Sequence, residues 1–422
     1  MKISINYRMV AVLLIICLGI LSLTGCWDRF EIEDMAFVGL IGIDKVGKNK
    51  FEVTYKISNP QGGGFSNVVG SSAKEPAAEI ITIQAVGPLS ARDTANASVT
   101  RKLSFTHASV LVVGEEMARS DEFLAVLDGM LRDKQIRRNI FLVISREKAS
   151  EFIRGNAPKL ETRPHKFYDF MSERWQDTAL VPLATLNELI KRNDGHGSLF
   201  LAVYGTVEKQ KPKEEVTEDD FIAGEVPIEG GNPVQMIGAA VFKGTKMIGT
   251  LTGEEVRLSL ILRQNEKLPS FYSTFSDPIK SEYRITVRVS KTRQTKIKIN
   301  VKDKQPRIEI TVPISMELLS IPSGVNYVED LDKQKLLKET IEKQLAQKAM
   351  KLVEKTEKEF GGEPFKWSIL ARREFGTWGE FKRYDWENRY TEAEVTVQYN
   401  VTIKGVGKQL QPPNDEEAGG GQ

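Results

Sequence analysis

The clearest pattern in the chain lies in its C-terminal third, where apolar residues fall on alternate positions. Odd positions are apolar in 283–289 (Tyr283, Ile285, Val287, Val289) and in 297–301 (Ile297, Ile299, Val301). Even positions are apolar in 308–318, from Ile308 through Val312 to Leu318, and odd positions return in 393–403, from Ala393 through Tyr399 to Ile403. A period of two with one apolar face predicts four strands of an antiparallel sheet covered on one side. The cover is one long helix over 331–360. There Leu337, Ile341, Leu345, Ala349, Leu352 and Phe360 form a single stripe, and the remainder is mostly Lys, Glu and Gln. Such a helix is about 45 Å long.

The N-terminal half mixes elements. Residues 36–44 and 51–57 read as strands joined by the polar turn 45–50, with Phe51, Val53, Tyr55 and Ile57 on one face. Strands follow at 79–86, 107–113, 139–145 and 199–205, with helices near 88–100, 120–132, 147–154, 165–175 and 183–192. The opening hairpin is antiparallel, whereas strands separated by a helix pair in parallel. Residues 26–206 should therefore hold a mixed sheet with helices on it. Residues 207–234 are charged and rich in Gly and Pro, which reads as a linker. With the hairpin 236–251 and a helix at 253–261, the span 207–278 reads as a linker plus a small middle α/β domain. Residues 279–408 carry the C-terminal sheet, and 409–422 read as a disordered tail. The fold class expected is α+β, multidomain, with mixed sheets and helices packed on them.

The N-terminus changes this picture. Lys2 and Arg8 precede an apolar run, Met9 to Leu23, which is short of the roughly 20 residues a bilayer requires and reads as the core of an export signal. It ends in Leu23-Thr24-Gly25-Cys26, which resembles the lipobox of bacterial lipoproteins. The resemblance implies that residues 1–25 are a signal peptide and that Cys26 receives a diacylglyceryl group and becomes the first mature residue. Two acyl chains anchor stably where one does not, so the chain is expected on the outer face of a membrane.

Composition narrows the remaining classes. Removing 25 of 422 residues leaves 397, too many for one core and enough for two or three domains. Without Lys2 and Arg8 the 59 basic residues fall to 57, which balances 57 acidic ones. A nucleic-acid binder would carry a basic excess, so nucleic acid is not an expected partner. The only other cysteine, Cys17, leaves with the signal, so no disulfide or thiolate metal site is available.

Catalytic patterns occur in the chain only weakly. Ser71-Ser72-Ala73-Lys74 and Ser145-Arg146-Glu147-Lys148 match Ser-x-x-Lys, but two matches are about what a Lys-rich chain gives by chance, and no Lys-Thr-Gly follows. His107, His165 and His196 are far apart and lack the pairing of a zinc helix. His107 reads as structural. Gly62 to Gly64 lack the lysine of a phosphate loop. The chain therefore reads as a non-enzyme with no cofactor and no metal. Residues 365–390 gather aromatics with Lys and Arg. They read either as a connector capping the last sheet or as a patch that docks a partner or a membrane, with Trp378 and Trp386 as candidate contacts.

Together these residues resemble one family. Cys26-Trp27-Asp28, Glu31-Ile32, Asp34-Met35-Ala36 and Gly42-Ile43-Asp44 are similar to the mature N-terminus of the Ger(x)C family, the C-subunit lipoproteins of nutrient germinant receptors in spore-forming Gram-positive bacteria. Arg101-Lys102-Leu103 with Phe105 and His107 fits its central motif, and Gly114-Glu115-Glu116 ends the strand behind it. Gly238, Val241-Phe242-Lys243 and Gly249-Thr250-Leu251 resemble the start of its C-terminal half, and Trp378, Trp386 and the final strand its end. The resemblance implies three mixed α/β domains on the outer face of the spore inner membrane and no enzymatic activity. It also implies assembly with two integral-membrane subunits, an A-type and a transporter-like B-type; whether this subunit contacts the nutrient is left open. Asp28, Glu31 and Asp34 follow the anchor closely and are candidate contacts to a partner subunit. The alternative reading is an extracytoplasmic solute-binding lipoprotein that delivers a ligand to a transporter.

Overall fold

The computed structural model describes residues 7–22, 31–59, 78–194, 198–211, 220–291, 293–303 and 305–405. Cys26, Asp28, the loop containing Gly62 and Ser71, His196 and the tail 409–422 lie outside the described residues, and so does the expectation of disorder for that tail.

Among the described residues, two sheets carry the structure. The first has nine strands: β1 (Met35–Gly47), β2 (Lys50–Ser58), β3 (Ala78–Ala85), β4 (Lys102–Ser104), β5 (Val110–Gly114), β6 (Phe141–Ser145), β7 (Phe200–Thr206), β8 (Gln235–Lys243) and β9 (Lys246–Leu251). Its order is β3-β2-β1-β5-β6-β7-β8-β9, with β4 beside the start of β1. The hairpin β1–β2 is antiparallel, and β1, β5, β6 and β7 run parallel, as the alternation of strands and helices requires. β5 is a continuous apolar run, Val-Leu-Val-Val, and every residue of it is buried, which suits a central parallel strand covered on both faces.

The second sheet holds β10 (Phe271–Ser276), β11 (Arg284–Ser290), β12 (Lys296–Asn300), β13 (Arg307–Ser320) and β14 (Glu394–Gly405), in the order β10-β11-β13-β12 with β14 on β13. The first four pair antiparallel. β14, one of the four alternating segments, runs parallel to β13 over its whole length. A parallel partner needs a crossover of a dozen residues or more, and the segment between β13 and β14, with its long helix, provides it.

Among the helices are α1 (Tyr7–Ser22), α2 (Pro88–Asn96), α3 (Glu115–Ala118), α4 (Phe123–Arg132), α5 (Ala149–Gly155), α6 (Pro164–Thr178), α7 (Leu186–Asp194), α8 (Gly253–Ile261), α9 (Leu331–Lys355), α10 (Trp367–Ala371), α11 (Trp378–Tyr384) and α12 (Trp386–Tyr390). α9 runs into a wider turn at Thr356–Phe360, and its stripe Leu337, Ile341, Leu345, Ala349 and Leu352 is buried on the second sheet. No helix among the described residues is long and apolar enough to cross a membrane.

The expected middle domain is not a separate sheet. β8 pairs antiparallel with β7, and β9 with β8, so the hairpin 235–251 extends the first sheet. The backbone of β7 is a ready edge, and Ala239 to Phe242 are buried on both faces. Part of the expected linker is also packed: Phe221, Ile222, Ala223 and Val226 lie against the first core. The residues divide between two cores. One lies around the first sheet, and the other joins the second sheet with α8, α9 and the aromatic segment.

Candidate functional site

The two cores meet at a turn built by residues 360–366. Gly361 ends the wide turn after α9 in the left-handed region, φ +58°, and Lys366 holds the same conformation at φ +63° without being glycine. Between them the chain lies on the start of β7. The N–H of Leu199 donates to the Glu363 carbonyl at 2.9 Å, and Gly362 packs so closely on Leu199 that an added Cβ would stand 3.0 Å from its side chain. Arg263 clamps the other side, with Nε and Nη2 on the Pro364 carbonyl at 3.2 and 3.1 Å.

This junction opens into a cleft of about 510 Å³. Its walls supply five cations, Lys191, Arg192, Lys366, Arg372 and Arg373, and the apolar side chains of Ile369, Phe375, Trp378 and Phe381. Among the described residues, none that line it is acidic. Arg192 donates through Nη1 to the Leu199 carbonyl, and burial, then the nearby Arg263 charge, pull its pKa down to about 10, so it stays cationic near neutrality. Burial likewise lowers Lys366. Behind the wall Glu363 is fully buried. Its Oε1 accepts the N–H of Ser368 at 2.8 Å, while Oε2 has no hydrogen-bond partner, and burial raises its pKa. A second cavity of about 370 Å³ shares Arg192 and Lys366 and adds Glu188, Arg263 and Glu266, with apolar walls from Phe200, Leu260 and Leu268.

The candidate residues separate clearly. Trp378 is exposed at the cleft mouth, and the Arg372 guanidinium lies 4.8 Å from its ring centre. Trp386 is 2% exposed and packs at a tilt against Tyr390 in the second core, 6.3 Å between ring centres, which corrects its reading as a contact residue. Its apolar neighbours claim the ring, as they claim Phe365 and Trp367. The connector reading fits Phe365, Trp367 and Trp386, whereas Trp378 stays on the surface. Glu31 and Asp34 are exposed on the lead-in to β1, where the Asp34 N–H closes a short turn on the Glu31 carbonyl. His107 is exposed and packs edge-on against Phe37, 4.4 Å between ring centres. Ser145 is buried, and Glu147 of the same motif binds Thr206 and the N–H of Val207. No local pattern in the sequence marks the cleft, because its walls join Lys191, Arg192 and Ser198 to side chains between Lys366 and Phe381.

The residues that carried the resemblance have structural work. Asp44 caps α5 through the N–H groups of Ala149 and Ser150, and Gly114 leaves room for it, since a Cβ there would lie 2.4 Å from Asp44 Oδ1. Gly238 has φ +82°, and a Cβ on it would meet the Leu251 carbonyl at 2.4 Å. A Cβ on Gly249 would lie 2.5 Å from the Phe360 ring, which joins the hairpin to the wide turn after α9.

Residues 28–206 match the spore germination protein N-terminal domain, and residues 237–407 match the spore germination B3/GerAC-like C-terminal domain. The chain belongs to the Ger(x)C family of spore germination proteins. Similarity to other Ger(x)C proteins runs nearly end to end. The putative spore germination protein YfkR of Bacillus subtilis (strain 168) is 22% identical over 93% of this chain and 95% of its own. Spore germination protein B3 of the same organism is 22% identical over 91% and 94%. Spore germination protein KC, also from that organism, is 29% identical over 138 residues, 32% of this chain and 33% of its own. The crystal structure of the GerBC protein shares the fold, with a TM-score of 0.52 at 17% identity, covering 87% of this chain and 97% of that one.

Proposed function

We propose that the chain is a non-enzymatic, membrane-anchored lipoprotein subunit of a spore nutrient germinant receptor. The observation that carries the reading is the match of both halves to the germination family, and it is supported by Leu23-Thr24-Gly25-Cys26, which resembles a lipobox just ahead of them. Acylated Cys26 holds the folded body on the outer face of the spore inner membrane, and the subunit serves assembly or signalling of a complex with A-type and transporter-like B-type integral-membrane subunits. Asp28, Glu31 and Asp34 lie within nine residues of the anchor. Carboxylates so close to anionic headgroups are repelled unless a cationic surface faces them, which supports their contact with a partner subunit. Reversing Glu31 and Asp34 to Lys is expected to lower co-purification of the membrane subunits; unchanged assembly sinks that contact. The anchor is tested by fractionating cells that express Cys26→Ala. Loss of acyl label and release from the membrane fraction are expected, and retention in the membrane contradicts the reading.

The second cavity favours one alternative. Its Arg192, Arg263, Glu188 and Glu266 beside apolar walls suit a small zwitterion, as a solute-binding lipoprotein would need. Saturable micromolar binding in a titration with amino acids and sugars would support it.

A further inference from the structure

β1, β5, β6 and β7 run parallel, so their N-terminal ends form one rim of the first sheet. Met35 enters β1 at that rim, and Ser198 and Leu199 enter β7 at it. Three strand spacings separate β1 from β7, roughly 15 Å at ~4.8 Å each. The cationic cleft therefore opens at the same end of the sheet as the lead-in from Cys26. The nine steps along the chain from Cys26 to Met35 reach at most about 30 Å when extended, so an anchored N-terminus keeps this rim near the bilayer.

The chemistry of the rim matches that position. Lys191, Arg372 and Arg373 are exposed around the cleft, and Arg137 and Arg138 are exposed in the loop before β6. Arg138 is fixed on the rim by its carbonyl, which accepts the N–H of Asn187 at 2.8 Å. Among the described residues no carboxylate lines the cleft itself. Around it Asp133 is paired with Arg92 at 2.9 Å, Glu380 is held in the capping box of α11 with Thr377, and Glu374 is exposed beside Arg373. Glu31, Glu33 and Asp34 are exposed at the entry to β1, three strands away, where the proposed partner contact would cover Glu31 and Asp34. Ile369 and Trp378 stand exposed among the cations, and an indole beside guanidinium groups suits the headgroup layer.

We propose that this rim, centred on the cleft of Lys191, Arg372, Arg373 and Trp378, is a docking surface for anionic phospholipid headgroups that lays the folded body on the membrane beside its acylated N-terminus. The inference rests on the anchored reading above. Covalent anchoring alone fixes one point; the rim fixes orientation and so presents the same face to membrane partners.

The test uses the mature-length chain, residues 26–422, as Cys26→Ala. The first core begins at Ala36 and the second at Ala179, and the described side chains of α1 are exposed, so this chain holds the residues of both cores. Its sedimentation is measured with vesicles of phosphatidylcholine containing 30% phosphatidylglycerol and with phosphatidylcholine alone. Binding is expected to the anionic vesicles, to weaken with added salt, and to fall at least about tenfold in Lys191→Glu/Arg372→Glu/Arg373→Glu, since each basic residue near an anionic surface contributes roughly fivefold. Lys335→Glu/Lys343→Glu/Lys351→Glu removes the same charge from exposed positions on α9 and should leave binding within about twofold of the parent, again because only cations near the surface count. The neutral triple variant Lys191→Gln/Arg372→Gln/Arg373→Gln guards against a folding defect and should also bind weakly. Equal binding to both vesicles, no binding, or equal loss in the α9 variant overturns the proposal. So does unchanged vesicle binding with lost co-purification of membrane subunits, which would make the cleft a protein-docking site. None of these outcomes bears on acylation of Cys26, which the fractionation experiment reads separately.

Discussion

Asp44 caps a helix 105 residues away: its Oδ1 accepts the N–H of Ala149 at 2.6 Å, and Oδ2 accepts that of Ser150 at 3.0 Å. The carboxylate is buried between β1 and the start of α5, where two orphan donors would otherwise face an apolar core. Asp44→Ala should cost ~2–3 kcal/mol, the sum of a lost cap and two unsatisfied amides. Urea unfolding of the mature chain reads this directly; a loss under about 0.5 kcal/mol would mean that the cap is dispensable.

The two tryptophans of the aromatic segment should behave oppositely. Trp386→Ala removes a large ring from the second core and should cost ~3–5 kcal/mol. Trp378→Ala touches an exposed ring and should cost under about 1 kcal/mol. Thermal unfolding of the two variants side by side checks both, and equal losses would contradict the burial difference.

How much of this was legible differs from element to element. The stripe of α9 and the alternation of β11 to β14 were readable because one-sided burial writes its period into the sequence. The direction of β14 was not, since alternation of apolar residues is the same in either orientation and only the crossover decides. The membership of β8 and β9 was hidden for a related reason: a hairpin reports its own turn, not the edge it joins. Trp386 and Trp378 carry the same side chain eight positions apart, and only packing distinguishes core from surface. The Ger(x)C motif residues were recognisable as a set, but their reasons, such as the space Gly114 leaves for Asp44, required the third dimension.

Glu357 supplies a pH dependence. Burial, and next the neighbouring Glu354, raise its carboxyl from 4.5 to about 7, and its Oε1 lacks a hydrogen-bond partner. The folded state thus binds this proton more tightly than the unfolded state. The stability it contributes is complete below about pH 4.5 and is lost as pH rises through about 7. Because the group is half-buried, solvent screening keeps the effect to the order of 1–2 kcal/mol. Asp44 and Glu363 are raised in the same direction, so the isolating comparison is Glu357→Gln. That variant should lose less stability than the parent between pH 5 and 8.5 in thermal unfolding; parallel curves would refute the assignment.

The most direct test of the account is germination of spores that lack this chain, complemented with the parent gene or with Cys26→Ala. Responses to nutrients are compared with those to a trigger that bypasses receptors. The account predicts selective loss of a nutrient response, restored by the parent and not by Cys26→Ala, with the bypass trigger unaffected. Full restoration by Cys26→Ala, or an intact response to every nutrient without the chain, would contradict a lipid-anchored receptor subunit.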